Sequence, residues 1–344
     1  MNGACPYCNQ NLLAMVKPSK PVQLVGCRNC INIALIEWTG EEANAKPIRG
    51  MPPLSEIAPQ GSVMAGVFAM LNDIIVQLPV PPEVPQRLVS MVHDPLTSMN
   101  ELAGVIEDDA AISMKVLRMA NSALFSSTHD ISDLRTACAR LGMKVIANVA
   151  HVMSSSNLYR SGDPHFRELM QQLWLHSLAT AHCSEELVRI LKLPNTNSQF
   201  VAGLVHDIGK LVLLDALTVK YKGNTGRLKE SPELLLKVMN RFSPIVGLHV
   251  VQYWKMAPEV LFTTFFNHQP EATPTPEWVP LAHVIALSSD LADAYGYRIG
   301  DGPPPDLSDH PSAKALELTR EQTTELSQSL PEALGSIVDA LGAI

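Results

Sequence analysis

The sequence predicts an all-α protein that carries one small β unit, held together by metal, at its N-terminus. Three observations lead to this class. Two Cys-x-x-Cys pairs stand within the first 30 residues, and β-prone segments surround those pairs. From about residue 80 onward, apolar residues recur at helical spacing with almost no strand alternation. The chain has 344 residues, of which 46% are hydrophobic, so it can bury a substantial core.

Four of the six cysteines form the pairs Cys5–Cys8 and Cys27–Cys30, with 18 residues between them. Each pair can place two thiolates on one tight turn, and four thiolates make the tetrahedral set that zinc prefers. Because this set leaves no open coordination position, we expect a structural Zn²⁺. Redox chemistry by one Cys-x-x-Cys pair is the alternative.

The residues around the two pairs are β-prone, since Ile31, Ile33 and Leu35 occupy alternate positions. We therefore expect the cysteine pairs on the turns of short hairpins, and residues 1–40 resemble a zinc ribbon. A unit this small cannot be stabilised by burial alone, so zinc would supply folding free energy.

The charge balance argues against a general attraction to nucleic acid or to anionic membranes. The chain has 26 Lys and Arg residues against 34 Asp and Glu residues, a net charge of −8. Residues 1–50 alone carry five basic and three acidic side chains, a local net of +2. Nucleic-acid binding through the ribbon is therefore one alternative, and docking to a protein is the other.

The first residues, "MNGACPYCNQ", have neither the basic nor the apolar region of a secretory signal. The longest apolar run, residues 63–80, is interrupted by Asn72, Asp73 and Gln77, which makes it too polar to span a bilayer. We expect a cytoplasmic protein with no membrane partner.

Composition predicts three further segments after the ribbon. Residues 41–61 are rich in proline and lack periodicity, as in a linker. Residues 62–300 form a helical domain that begins with an amphipathic helix, for which Ser62 is the expected N-cap. Residues 301–344 contain a Pro-rich loop and C-terminal helices, one of which starts at the capping box Thr319–Gln322.

Within the helical region, the apolar stripes are clear enough to place individual helices. One stripe precedes the polar turn 107–109 and another follows it: Leu102, Val105 and Ile106, then Ile112, Val116 and Leu117. A further helix starts after the predicted N-cap Ser132, buries Cys138 and ends at Gly142.

The stretch "LVHDIGKL" supplies His206 and Asp207, two candidate ligands of a hydrolytic metal site. His176, one helix earlier, and Asp290, further along the chain, offer two more. In this chain order the four form the minimal ligand set of the HD phosphohydrolase superfamily, which the region resembles. Lys210 lies one turn beyond His206 and could meet a phosphate oxygen.

The flanking motifs narrow the resemblance. They are "VPPEVPQRLVSMV", "IEDDAAISMKVLRMANSALF", "ISDLRTACARLG", "LWLHSLATA", "AGLVHDIGKLVL" and "YWKMAPEV". Together, over residues 76–300, they resemble the HDOD family, the HD-related output domain of bacterial signalling proteins. The resemblance implies an HD-related all-α fold of two packed helical subdomains. It also implies a non-catalytic module that acts on a protein partner in a signalling pathway.

Departures from the catalytic relatives favour the same interpretation. In HD enzymes that hydrolyse cyclic dinucleotides, further histidines complete a second metal position and a Gly-Tyr-Pro motif follows. Here Ser243 and Asn267 stand where a histidine is common in relatives, and the chain contains no Gly-Tyr-Pro. His249, six residues past Ser243, is not on the same helical face and does not replace it. We expect His249 and His182 to be surface or core residues.

Two interpretations of the quartet stay open at this point. The four side chains could form a hydrogen-bonded knot without metal, since buried polar groups need partners. They could instead hold one divalent metal ion in a mononuclear phosphohydrolase for nucleotides or phosphoesters. Asp207 and Lys210 would then be the candidate catalytic residues.

Overall fold

The structure is a computed structural model of the chain. It describes residues 3–12, 22–27, 30, 32–39, 42–48, 71, 83–92, 94–122, 125, 131–156, 164–193, 198–220, 232–300, 303–307 and 309–341. The predicted leading helix from Ser62 lies outside these residues, apart from Leu71. So does the predicted linker, apart from its first residues.

The strands are β1 (Val22–Gly26), β2 (Ile33–Thr39) and β3 (Glu42–Pro47). The first helices are α1 (Glu83–Val92), α2 (Met99–Glu107), α3 (Ala110–Ala120), α4 (Leu134–Ser156), α5 (Pro164–Leu191) and α6 (Gln199–Val205). They are followed by α7 (Ile208–Lys220), α8 (Pro232–Tyr253), α9 (Pro258–Phe266), α10 (Val279–Ala294), α11 (Pro311–Ala315) and α12 (Arg320–Leu341). The prediction of an all-α protein with a small N-terminal β unit is confirmed.

The chain divides into two compact units, and each is built from two separate stretches of sequence. The first unit contains Met1–Pro79 and Val205–Ala282, and the second contains Val80–Leu204 and His283–Ile344. The β strands therefore share a unit with α7, α8 and α9. Burial of β1 against α8 and α9 helps to explain how so few residues stay folded.

The three strands form an antiparallel sheet in the order β1-β2-β3. The sheet corrects one predicted boundary, because residues 42–47 were assigned to the linker. Thr39 pairs with Glu42, so β3 runs antiparallel to β2 and joins the sheet.

The sheet is buried on both faces. Val25 pairs with Ala34, and both belong to a cluster that includes Cys5 and Cys27. Side chains alternate along a strand, so Leu24, Gly26 and Ile33 belong to the opposite face. Leu24 and Ile33 are buried, and β1 packs on α8 and α9. The predicted alternation of Ile33 and Leu35 thus marks the face that the helices cover.

Helices α7 and α8 cross with their backbones close together. A Cβ atom at Gly209 would lie 2.0 Å from the carbonyl oxygen of Ser243, and one at Gly247 would lie 3.4 Å from the nitrogen of Gly209. Only glycine leaves room for such an approach. Helix α8 has the length and composition of a membrane-crossing helix, but 67% of its apolar window is buried in the protein, as in a core helix.

In the second unit, local sequence signals fix the starts of several helices. Ser98 and Glu101 form a capping box at α2, and the Asp109 side chain accepts hydrogen bonds at the start of α3. Helix α4 is interrupted at Gly142, where the sequence predicts the end of a helix. The φ of Gly142 is +75°, a value that favours glycine. Its N-cap is Asp133 and not the predicted Ser132, because the Asp133 carboxylate accepts from the Thr136 amide at 2.8 Å.

The core of the second unit joins α5, α10 and α12. Buried side chains from the three helices form one cluster that includes Leu187, Leu287 and Leu330. Helices α5 and α6 also pack closely, since a Cβ at Gly203 would lie 2.7 Å from the Ala181 Cα. Cys138 is buried as predicted. The predicted capping box of α12 is present, with Thr319 and Gln322 bonded reciprocally.

Candidate functional site

The four paired cysteines converge in the first unit. Sγ of Cys5 lies 3.6 Å from Sγ of Cys30, and Sγ of Cys8 lies 3.6 Å from Sγ of Cys27. All four sulfurs lie within 4.8 Å of one another. These distances are far above the ~2.05 Å of a disulfide. They are close to the S–S edge of about 3.8 Å that a tetrahedron with Zn–S bonds of ~2.3 Å requires.

Each Cys-x-x-Cys pair lies on a turn that is closed by a backbone hydrogen bond. The Cys5 amide donates to the Gln10 carbonyl at 2.7 Å, and a bridge between Ala4 and Asn11 closes the first turn. The Cys27 amide donates to the Asn32 carbonyl at 2.9 Å, where β1 turns into β2. The predicted placement on hairpin turns therefore matches the geometry.

The chemistry of these sulfurs also fits a metal. Burial raises the pKa of the Cys5 thiol well above its usual range, while the amides of Tyr7 and Cys8 donate to its sulfur and lower the pKa. A buried thiolate needs a compensating cation, which a bound metal ion would supply. The cluster is compatible with metal binding, and the identity of the metal stays a prediction.

The turn between α6 and α7 carries His206 and Asp207 in the first unit. Both side chains are buried, and Nε2 of His206 lies 3.4 Å from Oδ2 of Asp207. The same carboxylate oxygen accepts from Nζ of Lys210 at 2.7 Å. Lys210 therefore contacts Asp207 and occupies a position where it compensates the buried charge.

Ser243 and Asn267 have packing roles in the same unit. The Ser243 carbonyl faces Gly209 at the crossing of α7 and α8. Asn267, buried at the end of α9, donates from Nδ2 to the backbone carbonyl of His206 at 3.4 Å. This bond ties α9 to the His206–Asp207 turn, so the amide nitrogen of Asn267 has a positioning role.

His176 lies on α5 in the second unit, and hydrogen bonds orient its ring. Nδ1 lies 2.8 Å from the Tyr297 carbonyl and 3.0 Å from a carboxylate oxygen of Asp293, so Nδ1 carries the proton. Nε2 then accepts from the Ser289 hydroxyl at 3.2 Å, and a metal ion at Nε2 would have to replace this hydrogen bond.

Asp290, also in the second unit, is bound by a residue that the sequence did not single out. Its Oδ2 accepts from Nε2 of His310 at 2.7 Å. The Ser312 amide donates to Nδ1 of His310, which leaves the ring proton on Nε2. The sequence carried one local sign that His310 has a structural role. His310 directly precedes Pro311, at the N-cap of α11.

The predicted quartet thus draws two residues from each unit, and as a ligand set it stays a prediction. The His206–Asp207 pair by itself is compatible with metal binding. Sequence reasoning missed His310 and Tyr297, because their contacts join residues 20 positions apart, for His310 with Asp290, and 121 positions apart, for Tyr297 with His176, and such contacts have no local pattern.

Solved structures with similar folds come from several bacteria. An HDOD domain protein of Geobacter sulfurreducens has 20% identity and a TM-score of 0.64, over 81% of this chain and 99% of that one. A protein of Shewanella amazonensis, provisionally named a metal-dependent phosphohydrolase, has 22% identity and a TM-score of 0.59, over 80% and 97%. At these identities the likeness shows the fold alone.

Two further relatives carry signalling or unassigned names. A protein of Marinobacter aquaeolei, provisionally named a signal transduction protein, has 21% identity and a TM-score of 0.56, over 84% of this chain and 68% of that one. An uncharacterised protein of Treponema pallidum is 23% identical over 252 residues, which are 70% of this chain and 46% of that protein. The chain therefore spans about half the length of this relative.

The family comparison agrees with the fold and with the motifs around His206 and Asp207. The HDOD domain matches residues 78–270, which is more than half of the chain and includes α1 to α9. The chain belongs to the HDOD domain family.

Proposed function

We propose that this protein is a non-catalytic output module of a bacterial signalling pathway, which acts in the cytoplasm by binding a protein partner. One observation carries the proposal. The buried carboxylate of Asp207 already has a cation, Lys210, at 2.7 Å, and Asn267 is used to hold the His206 backbone. The residues around the turn that carries His206 and Asp207, which we name the HD turn, thus serve one another as structural partners.

The name of the Marinobacter protein supports a signalling role, and membership of the HDOD family supports an output module. The four cysteines would hold a structural Zn²⁺ in a zinc-ribbon-like unit. That unit could add a second docking contact for the partner.

The test compares wild type with the double variant Asp207→Asn and Lys210→Met, in cells that lack the chromosomal copy. We expect the double variant to retain the signalling output, because both members of the charge pair are replaced together and neither is left buried without its partner. Asp215→Asn, on helix α7, is the control. Purified wild-type protein should not hydrolyse cyclic or linear dinucleotides with Mn²⁺ or Mg²⁺ present.

The opposite results would show that the protein is an enzyme. They would consist of metal-dependent hydrolysis by the wild type, together with loss of both hydrolysis and output in the double variant.

The second candidate function is a mononuclear phosphohydrolase. It is favoured by the buried contact of 3.4 Å between Nε2 of His206 and Oδ2 of Asp207, an imidazole and a carboxylate that a divalent metal could share. The provisional name of the Shewanella protein supports the same chemistry. Bound metal would lower the pKa of a water molecule, and the chain would supply His206 and Asp207 as ligands.

Nucleic-acid binding through the N-terminal segment has less support. Of the five basic residues behind the local charge of +2, only Lys46 lies among the described residues, and its ammonium forms an ion pair with Glu37. This function would gain support if residues 1–50 bound duplex or single-stranded DNA and if this binding weakened steeply between about 50 and 200 mM salt.

A further inference from the structure

The second cysteine pair is joined to α8 by a close contact at Gly26. The Gly26 amide donates to Oε1 of Gln252 at 2.8 Å. A Cβ atom at position 26 would lie 2.3 Å from Cε1 of His249, so the glycine backbone rests against the imidazole ring. His249 and Gln252 are three residues apart and share one face of the helix. Together they form a seat for the end of β1.

This seat holds the residue that directly precedes a metal ligand. Gly26 is followed by Cys27, and Gly26 pairs with Ile33 across the hairpin that also contains Cys30. A metal ion bound to Cys27 and Cys30 would fix the end of this hairpin. It would therefore fix the position of Gly26 on α8, because the two residues are covalent neighbours.

The same helix is in close contact with the start of α7. Gly247 of α8 lies against Gly209, and the Ser243 carbonyl, one turn earlier on α8, lies against the same glycine. Gly209 is two residues beyond Asp207. Packing this close does not allow one helix to shift while the other stays in place.

We propose that the four-cysteine centre is a metal-dependent clasp on α8. Metal binding holds β1 in the seat formed by His249 and Gln252, and this stabilises α8 together with the segment of α7 that begins beside Asp207. Loss of metal releases the seat and lowers the stability of both helices. The clasp goes beyond the proposed signalling function, since it requires only that the cysteines bind metal.

Thermodynamic linkage makes the effect reciprocal. If metal stabilises the seated state, then seating strengthens metal binding by the same factor. Because the clasp leaves the metal-free chain unseated, weakening the seat should lower metal affinity by the full loss of seat stability. Gln252→Ala removes one hydrogen bond, typically about 1 kcal/mol, or roughly 5-fold in an equilibrium constant. We therefore expect the affinity of the full chain for Zn²⁺ to fall about 5-fold, measured by competition with a chromogenic chelator.

The direct experiment measures hydrogen exchange of the full chain, loaded with Zn²⁺ and then stripped by a chelator. We expect amide protection in α8 and at the start of α7 to fall at least 10-fold on stripping. Helix α12, in the second unit, is the internal reference and should keep its protection. Zinc-loaded Gln252→Ala should show part of the same loss, whereas Asn44→Ala on β3 should behave as wild type.

Two substitutions with opposing steric effects provide a second test, which does not require removal of the metal. Gly26→Ala should release the seat, because its methyl group meets the His249 ring. Adding His249→Ala should restore room and recover zinc affinity.

Three results would overturn the clasp. The first is unchanged protection of α8 after complete zinc removal. The second is an equal loss in α8 and α12, which would indicate global destabilisation. The third is zinc affinity in Gln252→Ala equal to that of wild type.

Discussion

The four-cysteine centre and the His206–Asp207 turn lie in the same unit, yet they treat buried charge in opposite ways. At the cysteines, the sulfurs lie 3.6 Å apart, and no basic side chain among the described residues lowers the pKa of Cys5, so a bound cation would favour ionisation. At the HD turn, the ammonium of Lys210 lies 2.7 Å from the carboxylate. A set of ligand-type residues therefore predicts metal more securely where no described residue places a cation beside the ligands.

The largest expected effect comes from removing a sulfur ligand. Cys27→Ser should abolish stoichiometric zinc binding and destabilise the first unit severely, since structural zinc sites supply on the order of 10 kcal/mol of folding free energy in small domains. Metal analysis and urea unfolding followed by circular dichroism measure the two effects.

Cys138→Ala is the control for cysteine loss as such. Burial raises the pKa of Cys138 to about 11, so it stays a neutral core thiol, and its replacement should leave zinc content unchanged. Zinc bound at one equivalent by Cys27→Ser would contradict the assignment.

The next effect concerns the charge pair at the HD turn. Lys210→Met leaves the Asp207 carboxylate buried without its cation, which should lower the free energy of unfolding by about 3–5 kcal/mol. The double variant with Asp207→Asn should recover most of that loss. Urea unfolding at pH 7 in the presence of a chelator measures all three proteins.

If Lys210→Met were nearly neutral until a chelator was added, a metal ion would be compensating Asp207. The HD turn would then resemble the cysteine centre, and the contrast between the two sites would fail.

A third effect tests whether the HD turn depends on packing. Gly209→Ala would place a methyl group 2.0 Å from the Ser243 carbonyl, so the crossing of α7 and α8 must open. Overpacking at a backbone contact should cost about 3 kcal/mol or more.

Gly104→Ala is the matched control, because no atom lies within 4 Å of its Cβ position in α2. It should raise stability by about 0.5–1 kcal/mol through helix propensity. Thermal unfolding in which both variants shift in the same direction would contradict the crossing.

The smallest effect extends the comparison to a buried histidine on the helix that carries His176. Burial lowers the pKa of His182, while the nearby carboxylates of Glu186 and Glu185 partly raise it. The unfolded chain binds the proton more readily, so stability is complete above about pH 6.5 and falls as pH decreases, by up to about 1.4 kcal/mol per pH unit. Replacing the histidine with Gln should flatten this slope in urea titrations between pH 7.5 and 5.5, and equal slopes would refute the prediction.

Much of the fold was accessible from local patterns. The helices around Leu102 and Ile112, the break at Gly142 and the capping box at Thr319 depend on residues within one or two turns of each other. The cysteine pairs were equally clear, since their spacing constrains the turn on which they lie. The wrong prediction of Ser132 as N-cap has a local cause as well. The next residue, Asp133, is an equally good N-cap, and its carboxylate makes the capping hydrogen bond.

The contacts that define the site were not accessible, for a physical reason. The hydrogen bond between Gly26 and Gln252 joins residues 226 positions apart, and neither residue type suggests the other. The pairing of Asp290 with His310 depends on where a Pro-rich loop returns to α10. The sequence identified candidate ligands, but it could not tell which partners they would meet, such as Lys210 at Asp207.

The two-sided burial of the sheet has a consequence for how the protein can be handled. Helix α8 is apolar enough to resemble a membrane helix, and β1 covers part of it. A shortened chain that starts after the third strand would expose this apolar side to water, and we expect it to self-associate when expressed. The N-terminal strands thus cover an apolar surface of the helical domain. We expect a preparation of the helical domain to stay in solution more readily when it retains these strands.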